Sequence, residues 1–137
     1  MKRLMLMMLM VCASVLTYAQ TNVKADAVVK FKELRHNFGK IKQGVPVTHD
    51  FEFTNVSGQP VIIETATASC GCTTPTWPQA PVMKEKVAII KAGFNAAAPG
   101  PFEKTVYVKV KGIDAPLELR IAGEVISAAD FDKLNKK

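Results

Sequence analysis

The sequence predicts an all-β fold, an antiparallel β-sandwich of about seven strands. Three observations carry it. Apolar and polar residues alternate with a period of two over most of residues 28–126, the pattern of strands with one buried face. Clusters of Gly, Pro, Asn and Ser interrupt that alternation at short intervals, as turns require. No helical period appears before Ala128.

Residues 28–31 and Phe38-Gly39-Lys40-Ile41 read as one or two short strands. Over residues 47–54, Val47, His49, Phe51 and Phe53 share one parity and Thr48, Asp50, Glu52 and Thr54 the other, which sends the phenylalanines into the core. Asn55-Val56-Ser57-Gly58-Gln59-Pro60 ends that strand in turn residues. Val61-Ile62-Ile63 opens the next strand, which runs toward Ser69 and carries Cys70 and Cys72 at its exit. Pro75, Pro78 and Pro81 around Trp77 cannot donate a regular ladder of hydrogen bonds, so this segment reads as a loop or an edge crossing. Residues 87–94 form another strand, 95–101 a loop through Pro99-Gly100-Pro101, and 102–110 a strand with Val106 and Val108 on one face. Lys111-Gly112-Ile113-Asp114 supplies a turn. Residues 117–126 give the clearest strand, with Leu117, Leu119, Ile121 and Val125 on one side and Glu118, Arg120 and Glu124 on the other. Beyond it, Phe131 and Leu134 predict one short helical turn on a polar, frayed tail.

The amino terminus has the make-up of an export signal. Lys2 and Arg3 precede the apolar run 4–16, and Thr17-Tyr18-Ala19 offers a cleavage site before Gln20. Residues 1–19 are therefore read as a signal peptide and residues 20–137 as a single sandwich domain. The apolar run is shorter than the about 20 residues a membrane helix wants, and no second run follows, so no membrane span is expected. Cys12 follows Val11 inside the apolar run, where a lipobox has a small residue, so lipidation is not expected. The expected location is periplasmic, extracellular or associated with the cell envelope. Formal net charge is +6, and +4 without Lys2 and Arg3. That charge is spread along alternating strand positions, and one Trp and two Tyr are few to stack on bases, so no nucleic-acid partner is expected.

Ser69-Cys70-Gly71-Cys72-Thr73-Thr74-Pro75 holds the chemistry. Thiols so close can pack as small apolar side chains, bind a soft metal such as Cu(I) or Zn(II), or cycle between dithiol and disulfide. In a strand, residues i and i+2 lie about 6.5–7 Å apart, whereas two sulfurs on one tetrahedral ion lie about 3.8 Å apart. Either chemistry needs a bend, which Gly71 permits by positive φ or by leaving the sheet. A Cys70–Cys72 disulfide closes a tiny, strained ring, which suits redox exchange better than structural cross-linking. His49 is the candidate accessory ligand, although its parity with Phe51 and Phe53 also fits a half-buried histidine at a sheet end. His36, beside Asn37, reads as an exposed loop residue, and Met83 as a filler of core space. No nucleophile elbow, phosphate loop, zinc-protease or EF-hand pattern occurs, and Glu64, Glu85 and Glu124 are isolated carboxylates, so no enzyme is expected.

Phe38-Gly39 with Gly44, Phe51-Glu52-Phe53-Thr54-Asn55, Ser69-Cys70-Gly71-Cys72-Thr73, the segment from Gly100 to Thr105, and Ile121-Ala122-Gly123-Glu124-Val125 together resemble domain-of-unknown-function family 1573. The resemblance implies an exported bacterial immunoglobulin-like sandwich, related in architecture to pilus-chaperone and sperm-protein-like domains, with no established activity. Pro81-Val82-Met83-Lys84-Glu85-Lys86 departs from the Pro-Gly-type turn the family has there.

The leading expectation is an exported, non-enzymatic immunoglobulin-like module that binds or scaffolds a protein or cell-envelope component through loops or an open sheet edge. Trp77, flanked by prolines, is the candidate partner contact, against the alternative that it covers the sandwich end. The competing expectation is a thiol-redox or soft-metal (Cu or Zn) protein using Cys70 and Cys72. Exposure of the two sulfurs separates these readings.

Overall fold

The alternating segments close into two four-stranded sheets in a computed structural model that describes residues 24–136. The strands are β1 (Val29–Phe31), β2 (Arg35–Lys42), β3 (Val47–Asn55), β4 (Ile63–Ala68), β5 (Thr73–Thr76), β6 (Val87–Phe94), β7 (Gly100–Val110) and β8 (Leu117–Ile126). One sheet has the order β1-β3-β6-β5 and the other β2-β8-β7-β4. The export signal read over residues 1–19 lies outside the described residues. Among the described residues no helix is long and apolar enough to cross a membrane.

The core is the sum of the inward parities. Phe51, Phe53, Ile90 and Ala92 from one sheet meet Val106, Val108, Leu119 and Ile121 from the other, all with no exposed surface. Each large side chain so buried stabilises the fold by about 1.5–3 kcal/mol over its exposed state. The fold class is thus the all-β sandwich expected, with Phe51 and Phe53 inside.

Five details differ from the sequence reading. Met83, read as a filler of core space, is instead 56% exposed in the turn before β6. The proline-rich segment contributes β5, an edge strand that pairs with β6 and raises the count from about seven strands to eight. Pro75 fits there because an edge strand has one side free of ladder bonds. β2 begins at Arg35, so His36 is a strand residue and not an exposed loop residue. β2 pairs with β8 in parallel, the one parallel pairing in the two sheets. The chain keeps its heading through residues 32–34 while changing sheets, and β8 already runs that way. Lastly, the tail forms a helix, α1 (Ala128–Leu134), capped by Ser127 and tied to β2 by a Lys42–Asp132 ion pair at 3.0 Å.

Two sheet changes frame the molecule. Residues 32–34 cross from β1 to β2 at one lateral edge, and residues 69–72 cross from β4 to β5 at the other. Glu33 lies on the first crossing, and Cys70 and Cys72 lie on the second.

Candidate functional site

At the β4–β5 crossing, the Ser69 amide donates to Thr105 O at 2.9 Å and its hydroxyl accepts from the Thr105 amide at 3.2 Å, the last links to β7. Cys70, Gly71 and Cys72 then turn out of the sheet, with the Thr73 amide donating to Cys70 O at 3.3 Å. The Asn95 amide donates to Cys72 O at 3.0 Å and fixes the chain to the second sheet. Gly71 marks the departure from the sheet, as expected, but is not among the glycines with positive φ. The bend brings the two cysteine Cα atoms to 5.4 Å, and the sulfurs form a disulfide. Bonded to each other, they are not metal ligands in this state.

Both cysteines are half-buried, so they are neither core residues nor fully exposed. Cys70 Sγ lies 3.7 Å from the hydroxyl of buried Thr73, and Cys72 packs on the core. A cleft of about 210 Å³ beside Cys72 is walled by Phe94, Phe102, Pro99 and Pro101. A second, of about 300 Å³, lies on its other side between Pro46, Val47, Thr74 and Gly93. Trp77 follows β5, half-buried and packed against the core.

His49 does not join the cysteines. It faces Ala92 of β6, and Ala92 faces Pro75 of β5, so β6 stands between the histidine and the disulfide edge. Its interior parity instead carries it to the opposite edge, where its ring stacks on His36 of β2 with centroids 3.6 Å apart and planes 5° from parallel. Glu33, on the β1–β2 crossing, completes the cluster: its Oε1 lies 2.6 Å from His49 Nε2 and 3.8 Å from His36 Nδ1. Phe38 and Phe51 each set an edge against the histidine on their own strand, with centroids at 4.8 Å. Partial burial and the neighbouring His49 push the His36 pKa down, with Glu33 pulling the other way.

Sequence reasoning treated these residues separately, yet a signal was present. His36-Asn37-Phe38 and His49-Asp50-Phe51 repeat one His-x-Phe pattern on two strands, and equal parity aims both histidines between the sheets. Pairing them required knowing that β2 joins the sheet opposite β3.

The four sheet edges differ in protection. β1 is three residues long, β2 carries Lys40, Lys42 and a register irregularity between Asn37 and Lys40, and β5 contains Pro75. Such features discourage edge pairing. β4 carries Glu64 and a register irregularity between Ile63 and Thr65, but from Thr65 to Ala68 it has no charged residue and no proline and pairs with β7 without a shift. Because the Ser69 amide points to β7, alternation turns the peptide groups of Ala66 and Ala68 outward.

A family model described as Protein of unknown function (DUF1573) matches residues 29–125. None of the curated proteins matches the sequence. Among solved structures, the PapD-like domain 7 of human CEP192 superposes with a TM-score of 0.65 at 12% identity, covering 84% of this chain and 97% of that one. A protein of unknown function from Porphyromonas gingivalis W83 gives 0.61 at 9% identity, covering 72% of this chain and 46% of that one. The VesB protease of Vibrio cholerae gives 0.58 at 13% identity, covering 74% and 33%. The chain thus spans less than half of the Porphyromonas protein. At such identities the likeness is one of fold.

Proposed function

This chain belongs to the family described as Protein of unknown function (DUF1573), a membership that assigns no activity, and we propose that it is an exported, non-enzymatic immunoglobulin-like module that binds an extended segment of a partner protein along β4. The observation that carries this reading is the regular, uncharged outer edge of β4 from Thr65 to Ala68, with the outward peptide groups of Ala66 and Ala68. An extended segment laid there satisfies those groups by main-chain hydrogen bonds, and its alternate side chains give selectivity. The exposed Thr65 and Thr67 flank that edge with uncharged side chains. Trp77 serves this module as cover for the sandwich and not as the contact.

Site-specific photo-crosslinking in the native host tests the reading. A photoreactive residue at Thr67 should trap a partner, one at Lys40 should not, and Ala68→Pro should abolish the adduct while leaving the β7 ladder intact, because the Ala68 amide faces outward. Adducts that form equally at both positions, or that survive Ala68→Pro, refute it.

A second reading is reversible thiol redox at Cys70–Cys72. What favours it is the half-buried disulfide between two clefts. A partner dithiol would deliver two electrons and two protons, leaving Cys70 and Cys72 as thiols and itself as a disulfide; the reduced pair would then be free for Cu(I) or Zn(II). Differential alkylation of the protein taken from cells distinguishes a fully oxidised population, which opposes this reading, from a mixed one, which supports it.

A further inference from the structure

We propose that Glu33, His36 and His49 form a binding site for a divalent zinc-class cation that staples the two sheets together at the β1–β2 edge, a site separate from the cysteines and independent of the β4 reading. Three observations lead there. The ligating atoms of these residues all lie within 4.8 Å of one another, and they come from three segments: the crossing, β2 and β3. Two imidazoles and a carboxylate are a donor set that zinc takes, with a fourth position left for water. Around a tetrahedral ion with bonds of about 2.0–2.1 Å, ligand atoms sit about 3.3 Å apart. The present Glu33 Oε1 distances of 2.6 Å and 3.8 Å bracket that value.

The surroundings reserve the cluster for a cation. Lys32 and Arg35, the basic residues flanking Glu33 and His36, pair with Glu52 at 2.6 Å and Glu103 at 3.2 Å. Asp50, next to His49, pairs with Lys91 at 2.9 Å on the outer face. Glu33 is thus the carboxylate that meets the two rings. Stacked rings close to parallel direct their nitrogen lone pairs side by side, so loading requires a ring to turn about its outer side-chain torsion. That torsion is broad and roughly two-fold, and the His36 side chain, 30% exposed, stands on an edge strand. Ligation uses the unprotonated nitrogen of each neutral ring, the ring proton standing on the other nitrogen, and any proton the ion displaces passes to bulk water.

Zn(II) titration of the purified chain without an added histidine tag, followed by calorimetry and by imidazole nitrogen NMR, tests the site. One equivalent should bind, moving the resonances of His36 Nδ1 and His49 Nε2. Glu33→Gln and His36→Gln should each weaken binding by at least the about 10–100-fold that loss of an outer-shell partner costs elsewhere. The double variant Cys70→Ser, Cys72→Ser should bind as the parent does. Absence of binding, binding without imidazole shifts, binding indifferent to both Gln variants, or binding lost with the cysteines would each overturn the proposal. Glu33 is exposed, so its variant keeps the fold, and the imidazole shifts need no variant at all.

Discussion

Asn55 is fully buried, and each of its polar atoms has a partner. Its Nδ2 donates to Gln59 O and Val82 O, both at 2.8 Å, and its Oδ1 accepts from the Ser57 amide at 2.9 Å and the Ser57 hydroxyl at 2.8 Å. One amide thereby joins the end of β3 to two loops. Asn55→Ala removes four hydrogen bonds at a fully buried position, while Val82 O keeps the Val61 amide and Gln59 O the Ser57 hydroxyl; at about 0.5–1.5 kcal/mol net for each bond, a loss of about 2–4 kcal/mol in urea unfolding is expected. Asn55→Asp should cost as much, because a carboxylate cannot donate to those carbonyls. A loss below about 1 kcal/mol in both variants would contradict this account. Glu85 presents the opposite case. It has φ 63° in the turn closed by the Lys86 amide on Met83 O at 3.1 Å. A left-handed residue with a Cβ costs about 1–2 kcal/mol, and glycine returns about 0.5–1 kcal/mol of that as chain entropy. Glu85→Gly should therefore raise stability by about 0.5–1 kcal/mol by the same measurement. The turn falls where the sequence departs from the Pro-Gly type, so the departure has a measurable cost. The sequence marked Asn55 as a turn residue; its burial was hidden because its second partner, Val82, lies 27 residues away.

At the level of elements, two glycines explain motif pieces that sequence alone leaves unexplained. Gly39, with φ 68°, sits at the β2 irregularity and donates its amide to Asn37 Oδ1 at 2.9 Å. Its carbonyl approaches Gly123 of β8 so closely that a Cβ on Gly123 would lie 2.8 Å from Gly39 O and 2.9 Å from Phe102 Cε1. Gly123→Ala must move backbone or a packed ring, and should cost about 1–3 kcal/mol in thermal or urea unfolding. Phe38-Gly39 and Gly123-Glu124 are thus two halves of one close approach, which their separation along the chain conceals. α1 gives the pH dependence. Asp130 accepts from the Ser127 hydroxyl and lies near Lys133, and these, the hydrogen bond first, hold its carboxyl below the usual 3.8. A depressed folded value means the charged form supports the cap above pH 3.8, with that support lost as pH falls through the lower folded value. Amide exchange in α1 should accelerate over that range, ahead of the strands. Ser127→Ala should shrink the pH step to what Lys133 sustains and loosen α1 at neutral pH.

Across the whole molecule, alternation revealed the core because burying one face of each strand is a local demand, met residue by residue. Phe51, Phe53, Leu119 and Ile121 needed no partner to be assigned. Sheet membership is not local, and the features read incompletely depend on it: β5, the parallel β2–β8 pairing, and the placement of His49. The crossings at 32–34 and 69–72 decide all three. At the second crossing the disulfide closes a loop spanning only Cys70 to Cys72. In the chain-entropy account a loop that small contributes about 1–2 kcal/mol. The sandwich itself is held by the buried faces of both sheets and by the Ser69–Thr105 and Asn95–Cys72 main-chain hydrogen bonds, neither of which uses a sulfur atom. Reduction, or Cys70→Ser with Cys72→Ser, should therefore lower the thermal midpoint by roughly 5–10 °C while leaving one cooperative transition and an unchanged β-sheet spectrum. Collapse of the fold on reduction would show instead that the crossing is held shut by its sulfurs, and the thiol-redox reading would then have to operate on a protein that unfolds each time it is reduced.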